Sequence, residues 1–287
     1  MHTTPKRMSR LVTALALSCA AALVAATTAT PAVATAAAAG TPVATAVADP
    51  TVPTLNDWDC RPSAAHPTPV IVVHGTMGDS VSLLENLEAA LLDGGYCVFA
   101  LDYGNRGTGP IEDSAAELST YVDRVLAATH AKKVSFVGHS QGGMMPRYYL
   151  KYLGGQDKVD DLVGLAPSNH GTYHWLLLGI AGIVCPACAQ QGAGSPFITD
   201  LNWGDETPGD VSYTNVITQY DEVVVPANSG YLSGFPDQVS NLKIQSYCPF
   251  TVVEHIGIPG DQTAIAMALD ALSHPGPAQA WRSYPCS

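Results

Sequence analysis

Positive charge is what this chain has least of. Only 13 of its 287 residues are Lys or Arg, against 25 Asp or Glu, and the formal net charge is −12. So acidic a surface repels nucleic acid and anionic bilayers, and neither is expected as a partner. Long apolar runs are also missing after the first few turns of chain. No later stretch reaches the ~18 apolar residues that a membrane-spanning helix needs. No internal repeat is evident. Cys185-Pro186-Ala187-Cys188 has no second CxxC and no thioredoxin-like surroundings, which argues against a redox or zinc motif. No group of His, Cys and acidic residues has the spacing of a catalytic metal site, so no metal is expected, although the many aspartates leave a structural calcium ion open.

The N-terminus is organised differently from the rest. Lys6, Arg7 and Arg10 form a positive cluster, Leu11 to about Ala26 is apolar, and small-residue cleavage sites follow at Ala32-Val33-Ala34 or Ala46-Val47-Ala48. Residues 1–48 therefore read as a secretory leader with a low-complexity tail. The apolar run is short and gives way to Thr, Pro and Ala, so no stable membrane anchor is expected. Removing the leader takes away three positive charges and no acids, and residues 49–287 are left more acidic still. That length suits one domain, and a soluble extracellular protein is expected. Cys19 falls in the leader. Cys60, Cys97, Cys185, Cys188, Cys248 and Cys286 remain, an even number that implies disulfides in a secreted chain. Six cysteines allow fifteen pairings, among which the residues alone do not choose.

Along the domain, apolar strand-like runs alternate with helical spacing. Pro69–Val73 and Tyr96–Leu101 read as strands, with a helix over 81–92 between them that Gly94-Gly95 ends. A helix over 113–129 leads to the strand Val134–Val137, then a helix over 141–153 with Pro146 placed early, where a missing N–H costs least. Leu162–Leu165, Val211–Thr218 and Asn241–Tyr247 read as further strands, and Thr263–Leu272 as a last helix. Near-continuous apolar strands alternating with helices predict an α/β fold, a mainly parallel sheet flanked by helices on both faces. Residues 172–210 interrupt the alternation as a short cap or lid. Trp175 to Val184 is apolar all round, which fits a lid or acyl-binding wall, with a buried core helix as the bland alternative, and the stretch up to Phe197 reads as loop.

One motif carries the chemistry. The run Val134–Val137 enters Gly138-His139-Ser140-Gln141-Gly142, which is G-x-S-x-G after a strand and before a helix, the pattern of a nucleophile elbow. The turn is too tight for a Cβ on either side, so glycines flank a serine whose Oγ is pushed outward. A serine hydroxyl needs a base, and the base needs an orienting acid. In α/β-hydrolases these follow in the order Ser, acid, His. Asp221 is the candidate acid, with Glu222 beside it as rival; His255 is the candidate base, with His274 as rival. His74, His170 and His174 precede the acid, and His139, next to the serine, reads as packed. Thr76, in the loop His74-Gly75-Thr76 after the first strand, and Gln141 are the candidate oxyanion donors through their backbone N–H groups, with the Thr76 hydroxyl as a candidate third.

His74-Gly75-Thr76, Gly138-His139-Ser140-Gln141-Gly142, Tyr220-Asp221-Glu222-Val223-Val224-Val225-Pro226 and Glu254-His255-Ile256-Gly257 together resemble the secreted bacterial class 2 triacylglycerol lipases. Ser140-Gln141-Gly142-Gly143 and Asp221-Glu222-Val223-Val224 are similar also to the fungal lipase B type. The resemblance runs from about residue 60 to the C-terminus. It implies an α/β-hydrolase fold and cofactor-free hydrolysis of carboxyl esters, often of lipids, with Ser140, Asp221 and His255 as triad and Thr76 and Gln141 as oxyanion donors. It also implies a Cys248–Cys286 disulfide, and with it the pairs Cys60–Cys97 and Cys185–Cys188. The expected enzyme is a secreted monomeric lipase on a lipid or other ester, a lipid–water interface among its settings, with Trp175, Leu176, Leu177 and Ile180 lining the acyl site. A short-chain carboxylesterase or a polyester depolymerase shares the same triad. An inactive hydrolase-fold binding protein is the remote alternative, set against by the presence of every catalytic element.

Overall fold

The computed structural model describes residues 54–174 and 184–287. The leader and the residues Trp175, Leu176, Leu177 and Ile180 lie outside the described residues. Six strands form one parallel sheet: β1 Val70–Val73, β2 Val98–Leu101, β3 Val134–His139, β4 Val159–Leu165, β5 Ser212–Ile217 and β6 Val239–Lys243. Their spatial order is β2-β1-β3-β4-β5-β6. The strands alternate between two cores. Ile71, Val73 and Phe136 pack on one face with the helices α2 (Ile111–Thr129) and α3 (Gln141–Tyr152). Val70, Val72 and Val137 pack on the other with α1 (Glu85–Asp93) and α6 (Gln262–Leu272). A strand buried on both faces has no polar side to show, which is why these segments read as continuous apolar runs.

The order reverses between β1 and β3: the chain leaves β1 for the edge strand β2 and returns to the other side of β1. The C-terminal ends of strands at such a reversal are the usual ligand position in doubly wound sheets, and the loops that leave β1 and β3 there meet: Thr76 Oγ1 donates to Gln141 Oε1 (2.6 Å). The edge at β2 is covered. The backbone N–H of Asn56 donates to Val98 O, Asn56 Oδ1 accepts from Ala100 N, and Cys60 is joined to Cys97. The Arg124 guanidinium lies 3.8 Å over the Trp58 ring and holds this arm down.

Four sequence expectations change. The helix read over 81–92 is broken at Leu84 (φ −112°, ψ 4°), which separates a first turn capped by Asp79 from α1. The strand read over 241–247 ends at Lys243, and Ile244–Tyr247 is a helical turn. Pro146 lies in the second turn of α3, not among the first N–H groups, and so denies Gly142 C=O its helical partner. The stretch before Phe197 read as loop holds α4 (Pro186–Gln190), and α5 (Pro196–Asn202) follows. Proline stands at the start of both helices, where its missing N–H is free of cost. The structure joins Cys185 to Cys188 at the start of α4 and Cys248 to Cys286 near the C-terminus.

Candidate active site

Ser140 sits at the junction of β3 and α3 with φ 56° and ψ −121°. A non-glycine residue in that region costs about 1–3 kcal/mol and persists only where its surroundings impose it. The surroundings of Ser140 do so. A Cβ on Gly138 would come within 1.9 Å of Gly142 O, and one on Gly142 within 2.1 Å of Val73 O. The elbow is therefore pressed against β1, and only glycine fits on either side of the serine. The Ser140 N–H donates to Leu165 O (2.9 Å), which ties the turn to β4 as well.

His255 and Asp221, far apart in sequence, are brought together. His255 Nδ1 lies 2.9 Å from Asp221 Oδ2, and both side chains are buried. A carboxylate accepts, so Nδ1 carries a hydrogen. Asp221 Oδ1 accepts from the N–H groups of Val223 (3.0 Å) and Val224 (2.7 Å), which leaves Oδ2 for the imidazole. The rival acid Glu222 turns elsewhere: its Oε2 accepts from the backbone N–H of His255 (3.1 Å). The rival base His274 pairs instead with Asp270 (3.5 Å), in a cleft with Asp160, Asp161 and Ser212 at the N-terminal ends of β4 and β5, the opposite end of the sheet.

The loops carrying acid and base are knitted to each other. Thr218 Oγ1 donates to Val253 O (2.7 Å). Gln245, from the helical turn after β6, donates to Thr218 Oγ1 and Thr251 O and accepts from Gln219 N. His139 adds a bond from below the serine: its Nε2 lies 2.9 Å from His255 O. Burial holds the His139 imidazole neutral by lowering its pKa well below the usual value, and the neighbouring His255 adds to this. A carbonyl only accepts, so the single ring hydrogen is on Nε2. The backbone of His255 is thus gripped at both ends, by Glu222 and by His139.

Thr76 follows β1 in the loop facing the elbow. Its hydroxyl donates to Gln141 Oε1 (2.6 Å). Both of these side-chain oxygens also accept from Gln191 Nε2, at 2.8 Å and 3.1 Å. Sequence reasoning missed Gln191 altogether and gave Glu222 and His139 no such bonds. No local pattern marks them, because their partners lie 33 to 116 residues away. Among the described residues no group of His, Cys, Asp and Glu is placed to hold a metal ion.

A serine at an elbow, an imidazole whose Nδ1 faces a carboxylate, and that buried carboxylate are the groups that acyl transfer uses. The chain is 28% identical over 155 residues to lipase B of Pseudozyma antarctica, a match covering 53% of this chain and 45% of that protein. It is 38% identical over 97 residues to a triacylglycerol lipase of Pseudarthrobacter phenanthrenivorans, covering 30% of this chain and 28% of that protein. These matched segments span less than half the length of either relative. Among solved structures, Aspergillus fumigatus lipase B superposes with a TM-score of 0.66 at 26% identity, over 78% of this chain and 57% of that one. The model of the family Lipase (class 2) matches residues 67–248, well over half of the chain, and covers β1, the elbow, Asp221 and the whole sheet; the chain belongs to the class 2 lipases.

Proposed function

We propose that this protein is a secreted serine carboxyl-ester hydrolase, a lipase that cleaves triacylglycerol or other fatty-acyl esters. The observation that carries this is the His255–Asp221 pair at 2.9 Å beside an elbow that forces Ser140 to φ 56°. His255 Nε2 takes the Ser140 hydroxyl proton as Oγ attacks the ester carbonyl. The backbone N–H groups of Thr76 and Gln141 hold the oxyanion. The tetrahedral intermediate collapses, the C–O bond to the alcohol breaks, and His255 gives its proton to the leaving oxygen. Water then repeats the sequence on the acyl-serine: His255 takes a proton from water, hydroxide adds to the carbonyl, and the fatty acid leaves as Ser140 regains its proton. Asp221 keeps the imidazole in the Nδ1–H tautomer and stabilises it when charged.

Fatty-acyl substrates are supported by the relatives, named as lipase B and triacylglycerol lipase. They are supported also by apolar side chains exposed on the loops beyond β1, β4, β5 and β6, among them Met77, Tyr173, Tyr220, Val252 and Ile256. Secretion is supported by the leader and by three disulfides.

The test is hydrolysis of butyrate and palmitate p-nitrophenyl esters and of emulsified triglyceride by the wild type and Ser140→Ala. The expected result is loss of at least roughly 10⁴-fold in Ser140→Ala and, in the wild type, activity on both palmitate ester and triglyceride. Full activity in Ser140→Ala overturns the mechanism. Cleavage of butyrate alone overturns the lipase assignment and leaves a short-chain esterase.

A further inference from the structure

Gln191 immediately follows α4, is 4% exposed, and its side chain reaches the residues flanking the elbow. Its amide orientation is fixed by Ala187 O, which only accepts and lies 3.2 Å from the end that is therefore Nε2; the same end faces Thr76 Oγ1 (2.8 Å) and Gln141 Oε1 (3.1 Å), and Oε1 accepts from the Ser168 hydroxyl (2.8 Å). Its backbone is held independently: Gln191 N donates to Ala187 O, and Gln191 O accepts from Thr172 N. Gly171 (φ +73°) lies against the same carbonyl, where a Cβ would approach to 2.7 Å.

The Thr76 hydroxyl has one hydrogen and donates it to Gln141 Oε1 at 2.6 Å. Gln141 is fully buried, and its Nε2 has no hydrogen-bond partner among the described residues, so among them the side chain is held through Oε1. If Thr76 turned its hydrogen toward a developing oxyanion, a buried acceptor would be left bare, a change that opposes the turn. Gln191 removes that opposition, because its Nε2 already stands at hydrogen-bond distance from Gln141 Oε1. By donating to Thr76 Oγ1 as well, the same amide polarises the hydroxyl as a donor.

We propose that Gln191 is a positioning residue that frees the Thr76 hydroxyl to donate to the oxyanion while keeping Gln141 satisfied. This rests on the ester-hydrolase reading above. Gln191 contributes no atom to the reacting centre and acts only through Thr76 and Gln141, so its effect belongs to the transition state and not to substrate binding.

The experiment is a double-mutant cycle of Gln191→Leu with Thr76→Val, which keeps the Thr76 backbone N–H. Gln191→Met, closer in shape to glutamine, runs beside Gln191→Leu so that a packing defect in one does not decide the result, and thermal melts check folding. Steady-state kinetics on the butyrate ester are expected to show kcat lowered about 10- to 100-fold by either Gln191 variant, with KM changed less than about twofold. In the Thr76→Val background the same change is expected to cost less than about threefold. An equal cost in both backgrounds, or a cost borne by KM, overturns the proposal. If Ser140→Ala is inactive and the cycle is additive, only the role of Gln191 fails; if Ser140→Ala is active, the catalytic reading itself fails.

Discussion

A neutral histidine has one hydrogen to give, and His139 gives it to the carbonyl of His255. Asp221 and Glu222 are adjacent acids that divide the remaining work on the same residue, one at the ring and one at the backbone N–H. Removing charge from each separates these jobs. Asp221→Asn offers the imidazole a donor where it needs an acceptor, and kcat is expected to fall by about 10⁴-fold with KM little changed. Glu222→Gln keeps an acceptor oxygen for the His255 N–H, and a loss below about tenfold is expected, since a neutral hydrogen bond replaces a charge-assisted one. Steady-state kinetics of the two variants check both, and equal losses would show that the acid is shared. Chain order and the strand leading in favour Asp221 over its rival Glu222, and the structure shows the physical reason: the N–H groups of Val223 and Val224 fix the Asp221 carboxylate in place.

At the scale of elements, the turn between β3 and α3 is tightly constrained: a Cβ on either flanking glycine would meet backbone within 2.1 Å. Gly142 faces the carbonyl of Val73, a backbone atom of β1, paired on both sides, that has no rotamer to move. Gly142→Ala is therefore expected to lose esterase activity and to destabilise by at least roughly 3 kcal/mol, read from a denaturant midpoint. The same contact explains what was legible. G-x-S-x-G and the buried strands are local patterns: Val70–Val73 is apolar throughout because both faces are covered. The turn at Ile244–Tyr247 is not local. Leu242 and Ile244 alternate as in a strand, yet Gln245 is needed inside, where it binds Thr218 and Thr251, and the chain coils to deliver it. Helices α4 and α5 are short, and their proline starts were the available signal, masked by the loop-like composition around them. Gln191 had no signal, because its value lies in reaching Thr76, 115 residues earlier in the chain.

At the scale of the whole molecule, the two ends of the sheet do different things. The C-terminal ends hold Thr76 and Ser140 where strand order reverses, and the loops after β5 and β6 bring Asp221 and His255 together on the same end. The N-terminal ends carry a burden of buried acid. Asp161, buried on β4 beside Asp160, has its pKa pushed up to about 7, first by burial and then by the Asp160 charge; the hydrogen bond from Ser135 Oγ and, less, Lys133 only partly offset this. The folded state then keeps a proton that the unfolded chain releases above its ordinary value near 4. Stability from this group is full below that value and is lost as pH rises toward 7. Glu88 on α1, also raised to about 7 by burial, adds a slope of the same sign. Asp161→Asn is expected to melt close to wild type near about pH 4 and several degrees higher near about pH 8, as calorimetry would show. An unchanged gap across that range would mean that Asp161 ionises freely.

The central claim is that Ser140 is the nucleophile set up by His255 and Asp221. Labelling with a fluorophosphonate, followed by peptide mass spectrometry, tests it most directly. The expected result is a single adduct on the peptide bearing Ser140, absent in Ser140→Ala and formed far more slowly in Asp221→Asn and His255→Ala. A phosphonylated residue elsewhere, or labelling of Ser140 at an undiminished rate without His255, would contradict it.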